Sequence, residues 1–364
     1  MRRVKKSMVL AALAGVVAAV VTAVPVTGAE AATPRIDADR ADGVSQVAIS
    51  FRVRNVNRSA VACASDGRSY TVRGHLVAPT ALLEQDRIDL GTLYLHGLSF
   101  GEYFYRFRGQ RGYDYAEAQA RNGHASVVVD RLGYGRSGVP DGTQVCVGSR
   151  ADIAHQMVRQ LRSGRYHLQH HRGGSVPRLD KVVLAGHSFG GQIAQVEAYS
   201  FGDIAGLVVL GYADRVQSGV LRSSAAYAAG VCAQGGQSFE GHPGYAPFGP
   251  PSGAPAALFS TARRRVEDKV LARLSVDPCG DTASFDAATA VDLQRVGDID
   301  VPVLVVAGAD DALFPQPAAP DQAQLFTGSR SVRQTTLAGT AHAFTFEQGR
   351  HRLVRVVDRW LDRR

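Results

Sequence analysis

Apolar residues fall along the chain in two kinds of run. Val47–Arg54 and Ser69–Ala78 alternate apolar and polar positions, at least in part. That is the period of a strand with one buried face and one wet face. Thr92–Leu95, Ala125–Val129, Lys181–Ala185 and Ala205–Leu210 are instead short and continuously apolar, as are Val301–Ala307 and, more weakly, Val332–Leu337. Continuous runs of this length suit parallel strands covered on both faces. Helical patterns lie between them at Tyr115–Arg121, Ala151–Arg162 and Gln192–Phe201. Near the C-terminus, Leu353, Val356, Val357, Trp360 and Leu361 make one apolar helical stripe. Strands and helices in alternation predict an α/β fold: a mostly parallel central sheet with helices on both faces.

One stretch breaks the rhythm. Residues 212–300 separate the strand ending near Gly211 from the strand starting at Val301. They hold helix-like pieces (Ala225–Gly230, Ala256–Leu274, Phe285–Val296) around a Gly/Pro-rich centre, His242–Pro255. A connection after a strand is normally about 2–6 residues. The spacing therefore predicts a core built from 32–211 and 301–364, with 212–300 as an inserted, mainly helical subdomain.

The N-terminus changes the compartment. Arg2, Arg3, Lys5 and Lys6 precede an apolar run from Met8 to Val21, and Ala29-Glu30-Ala31 supplies small residues in an A-x-A arrangement. That is the pattern of an export signal cleaved near Ala31. The apolar run falls short of the roughly 20 residues needed to span a bilayer. A secreted protein with no stable membrane insertion after cleavage is expected.

Composition and charge exclude more than they assign. The chain has 364 residues, 45% hydrophobic and 20% charged, which rules out collagen, coiled coil and wholesale disorder. Net charge is +8; without the four leading basic residues and Glu30 it is +5 from Ala32 onward. The arginines are scattered among acids, so they read as solvated surface and no nucleic-acid partner is expected. Four cysteines in an exported chain suggest two disulfides. No C-x-x-C spacing favours a metal instead. Cys63–Cys146 and Cys232–Cys279 are the favoured pairs, because each keeps a bridge inside one region, the second within 212–300. His167, His170 and His171 lack neighbouring carboxylates or cysteines and read as an exposed loop. Phe100, Tyr103, Phe104, Tyr105 and Phe107 are either core or one wall of an acyl pocket; Tyr113 and Tyr115 read as core.

The chemistry lies on turns after strands. Gly186-His187-Ser188-Phe189-Gly190-Gly191 follows an apolar strand and precedes a helix. In that context G-x-S-x-G forces a serine into a tight turn at the sheet's C-terminal edge, beside a helix N-terminus that favours negative charge. A serine nucleophile needs a base, and the base an orienting acid. Asp310 and Asp311 follow the strand Val301–Ala307, and His342 follows the strand ending at Leu337.

These features resemble the α/β-hydrolase family, from about Ser69 to the C-terminus. His96-Gly97-Leu98-Ser99 resembles its oxyanion loop. Asp130-Arg131-Leu132-Gly133-Tyr134-Gly135-Arg136-Ser137 resembles its D-x-x-G-x-G-x-S turn. Gly308-x-x-Asp311 resembles its acid turn, which selects Asp311 over Asp310. The position of 212–300 resembles the family's cap. The resemblance implies a Ser188–His342–Asp311 triad, with the backbone N–H groups of Leu98 and Phe189 as the oxyanion hole. It implies no metal or organic cofactor. The leading expectation is a capped, exported serine hydrolase, esterase- or lipase-like, acting as a monomer on a small-molecule carboxylic ester with a lipophilic portion. The fold alone does not choose among ester, amide, thioester, lactone and carbon–carbon cleavage. The runner-up readings are a C–C or lactone hydrolase of a secondary pathway, and a non-catalytic binding protein on the same scaffold.

Overall fold

The computed structural model describes residues 39–41, 43–169 and 176–364; the leader read in 1–31, with His170 and His171, lies outside the described residues. Eight strands carry the main sheet: β1 (Val44–Arg54), β2 (Ser69–Pro79), β3 (Arg87–Leu95), β4 (Ala125–Asp130), β5 (Arg178–His187), β6 (Gly206–Leu210), β7 (Val303–Gly308) and β8 (Val332–Leu337). Their order is β1-β2-β4-β3-β5-β6-β7-β8. β1 pairs antiparallel with β2, and β2 antiparallel with β4; every later pairing is parallel. Two short strands, Asp39–Ala41 and His167–Leu168, add to β1.

The helices are α1 (Tyr115–Arg121), α2 (Val147–Ser163), α3 (Phe189–Phe201), α4 (Gly219–Ala233), α5 (Arg264–Leu271), α6 (Cys279–Arg295), α7 (Ala318–Ala323) and α8 (Arg350–Leu361). They explain why the central strands are mostly apolar over their buried length. Successive side chains of a strand point to opposite faces. Val182 and Leu184 of β5 join one core with Val158 and Leu161 of α2 and Ile193 and Val196 of α3. Val183 and Ala185 join the other core with Ala116 and Ala120 of α1 and Val357 and Trp360 of α8. Both faces are dry here, so these stretches are mostly apolar, with Thr92 and Ser126 as buried polar exceptions. Each large aliphatic side chain buried this way contributes about 1.5–3 kcal/mol.

Residues 212–300 hold α4, α5 and α6, as the helix-like pieces suggested, and also a feature the pattern did not predict. Gln237–Phe239, His242–Ala246 and Asp277–Pro278 form a small antiparallel sheet. The helix expected over 256–274 is broken into Ala254–Leu258 and α5. The break has a cause. The buried carboxylate of Glu347 accepts the backbone N–H groups of Ser260 (2.8 Å) and Thr261 (2.7 Å) and the Thr261 hydroxyl (2.7 Å). Donors spent on a carboxylate cannot continue a helical ladder.

Disulfides join Cys63 to Cys146 and Cys232 to Cys279, with Cα atoms 6.2 and 5.6 Å apart. The first ties the loop after β1 to the start of α2. The second ties α4 to the start of α6. Among the described residues, no helix is long and apolar enough to cross a membrane.

Candidate active site

Ser188 is the single residue between β5 and α3. Its backbone takes φ 54° and ψ −126°, which costs a non-glycine residue about 1–3 kcal/mol. Two glycines make the turn sterically feasible. A Cβ on Gly186 would lie 2.0 Å from the Gly190 carbonyl oxygen, and one on Gly190 would lie 2.3 Å from that of Leu95. The Ser188 N–H donates to the Leu210 carbonyl at 2.8 Å, pinning the turn to the end of β6. The side chain faces a cavity, and Phe189 opens α3, so its own N–H has no intrahelical acceptor.

Asp311 and His342 meet at the same edge. Asp311 follows β7, and its Oδ1 accepts the N–H groups of Leu313 (2.9 Å) and Phe314 (3.0 Å). That leaves Oδ2 for His342 Nδ1, at 2.9 Å. Both side chains are buried, and the His342 ring lies against Phe314 with centroids 5.8 Å apart. Asp310 is exposed and bonds the Ser260 hydroxyl instead. Ser188 and His342 both line the cavity, but no hydrogen bond closes between them. Such contacts are often long in the free protein and tighten with substrate.

His187, inside the serine motif, proves to be a support. Its Nε2–H donates to the His342 carbonyl at 2.9 Å, and its ring stacks on Phe104 at 4.0 Å. Burial, and then the neighbouring His342, hold its pKa well below the ordinary histidine value, so it stays neutral. Phe104, Tyr105 and Phe107 are core residues; of the aromatic run, Phe100 reaches the cavity.

The loop after β3 is clamped from behind. The Arg131 N–H donates to His96 Nε2 at 3.0 Å, so His96 carries its proton on Nδ1 and donates to the Gly97 carbonyl at 2.8 Å. Arg131 Nη2 reaches the same carbonyl at 3.0 Å. In a trans peptide the C=O and the next N–H point in opposite directions. With the Gly97 oxygen held toward Arg131, the Leu98 N–H is turned away from it. Burial, and then the Arg131 charge, hold His96 well below its ordinary pKa. Ser99, at φ 61°, gives its N–H and hydroxyl to Asp277 at 2.5 and 2.8 Å. Asp277 also accepts the Tyr134 hydroxyl at 2.6 Å. Asp277 belongs to 212–300, and nothing in its local sequence marks it.

The cavity encloses about 200 Å³. Leu98, Phe100, Phe189 and Phe314 wall it from the sheet side, and Leu221, Phe248, Leu258 and Phe285 from 212–300. Serines and His342 supply its polar lining, with no Asp, Glu, Lys or Arg side chain.

A strained serine after the fifth strand, an Asp–His pair after the seventh and eighth, and this strand order define an α/β hydrolase. The chain belongs to the alpha/beta hydrolase family, whose sequence signature matches residues 93–356, and is thereby a hydrolase. Solved structures agree on the fold. A thermophilic esterase from Thermogutta terrifontis is 20% identical, with 86% of this chain and 98% of that one covered at a TM-score of 0.53. A monoacylglycerol lipase from Paleococcus ferrophilus is 17% identical (74% and 93% covered, TM-score 0.53). An esterase from Exiguobacterium antarcticum is 15% identical (84% and 98% covered, TM-score 0.54). No significant match is found among curated protein sequences.

Proposed function

We propose that the protein is an exported serine hydrolase that cleaves a carboxylic ester through Ser188, His342 and Asp311. The carrying observation is the 2.9 Å Asp311–His342 bond on a cavity whose wall also holds Ser188 in its strained turn. Ser188 Oγ attacks the carbonyl carbon while His342 Nε2 takes its proton. Asp311 fixes the tautomer and stabilises the imidazolium. The tetrahedral oxyanion is received by the Leu98 and Phe189 N–H groups, each such donor contributing about 2.7–4 kcal/mol. Collapse expels the alcohol, which takes the proton from His342. Water then attacks the acyl-enzyme with His342 again as base, releasing the acid and Ser188.

Residues 212–300 act as a cap, since they supply the outer wall of the cavity. A small chamber without charged groups favours an uncharged, lipophilic ester with a short acyl group. The leader and the two disulfides favour secretion, with cleavage near Ala31. The decisive experiment is labelling by a fluorophosphonate probe, with p-nitrophenyl esters of rising acyl length run beside amide and lactone substrates. Ser188 should be labelled, Ser188→Ala should not, and short esters should turn over fastest. An unlabelled, folded, disulfide-intact protein refutes the enzyme reading. Faster turnover of lactones than of esters reassigns the substrate.

A further inference from the structure

About nine residues along α3 from Ser188, roughly 13 Å at 1.5 Å per residue, lies a polar cluster that the proposed reaction does not use. His155 projects from α2, Glu197 from α3, and Asp203 from just past the C-terminus of α3. His155 Nδ1 lies 3.0 Å from Asp203 Oδ2 and 3.9 Å from Glu197 Oε1. One ligand atom from each residue falls within 4.8 Å of the others. Phe201 stacks on the imidazole at 4.1 Å and 11°, fixing its plane.

The cluster lacks the donors that buried acids normally have. Glu197 is fully buried, and neither of its carboxylate oxygens has a hydrogen-bond partner. Asp203 Oδ1 and His155 Nδ1 also lack one, so the short His155–Asp203 approach is not aligned as a hydrogen bond. Arg162 approaches Asp203 only at its main-chain oxygen, 3.3 Å away. Buried polar atoms in native proteins are nearly always satisfied, and here four in one pocket are not. Burial, and then Asp203, push the Glu197 pKa well above the usual carboxylate value.

We infer that His155, Glu197 and Asp203 form a structural divalent-metal site that takes zinc and ties α2 to the C-terminal end of α3. One imidazole nitrogen and two carboxylates are a zinc donor set, whereas calcium and magnesium prefer oxygen alone. Tetrahedral zinc with bonds of about 2.0–2.1 Å sets neighbouring ligand atoms roughly 3.3 Å apart. The observed 3.0 and 3.9 Å separations bracket that value. Asp203 Oδ1 or water completes the coordination. The side chains of His155 and Asp203 are 13% and 18% exposed, which gives the ion a way in.

The test uses the full chain, stripped with EDTA and titrated calorimetrically with zinc chloride, alongside thermal unfolding with and without zinc. Wild type should bind one zinc at micromolar or tighter affinity and gain several degrees in Tm. Glu197→Gln and Asp203→Asn should lose that response while keeping ester turnover. His124→Ala, at a surface histidine beside Asp358, should keep it. Either folded variant suffices. A zinc response that persists in both, no Tm gain in wild type, or a calcium response in place of zinc overturns the assignment.

Discussion

Two buried polar clusters flank α3, and they are built on opposite principles. Behind the loop that follows β3, two arginines face two aspartates. Arg150 Nε bonds Asp281 at 2.5 Å, and Arg150 Nη1 reaches the Leu132 carbonyl at 2.8 Å. Arg131 lies 3.7 Å from Asp281, with its guanidinium over the Tyr134 ring at 4.6 Å. Asp277 takes three donors from Ser99 and Tyr134. At the other cluster, Glu197 takes none. There the charges cancel within the chain, although Arg131 Nε and Nη1 and Arg150 Nη2 find no hydrogen-bond partner. A site left with excess acid must recruit something positive, a proton or an ion.

Breaking the balanced cluster should cost most. Asp281→Ala strands two arginines whose side chains are 3% exposed, so urea unfolding should show a loss of about 3–5 kcal/mol. Acid groups in this region also shape the pH profile. Burial pushes Asp277 and Asp130 up to about 6. The folded state thus binds their protons more tightly than the unfolded chain does, and stability from these groups is greatest below about pH 4 and falls as pH rises to about 6. Each should account for about 2–3 kcal/mol. Unfolding measured from pH 4 to 7 should show the slope, and Asp277→Asn and Asp130→Asn should each flatten their share; an unchanged slope refutes the assignment. Asp277→Asn should also loosen the Ser99 loop, lowering kcat for ester about 10-fold with little change in KM, because the proposed oxyanion donors act on the transition state. The smallest effect belongs to the unbalanced cluster. In metal-free protein, Glu197→Gln should shift stability by less than about 1 kcal/mol, since Glu197 has no hydrogen bond to lose.

The same contrast explains what the sequence could reveal. The central apolar runs became strands covered on both faces, while Val332–Leu337 became a largely exposed edge strand; the 188, 311 and 342 turns were visible because each follows one of these runs. The small sheet of 212–300 was hidden because its strands have two to five residues and contain Pro243 and Gly244. Arg150 and Asp281 are 131 positions apart, and no local pattern announces a partner at that distance. Glu197 sits in a helix where a single acid ordinarily means a solvent face; here that face packs inward. His187 was a spacer in a motif until its ring was seen holding the His342 loop.

The backbone of Ser188 carries one more consequence. Its left-handed geometry suits glycine far better than any residue with a side chain, so a glycine there should relax the turn and yield a sturdier, inert protein. Selection for durability and selection for turnover therefore pull in opposite directions at this one position. Under the proposed mechanism, the strained serine gives up backbone stability at this turn in exchange for a nucleophile.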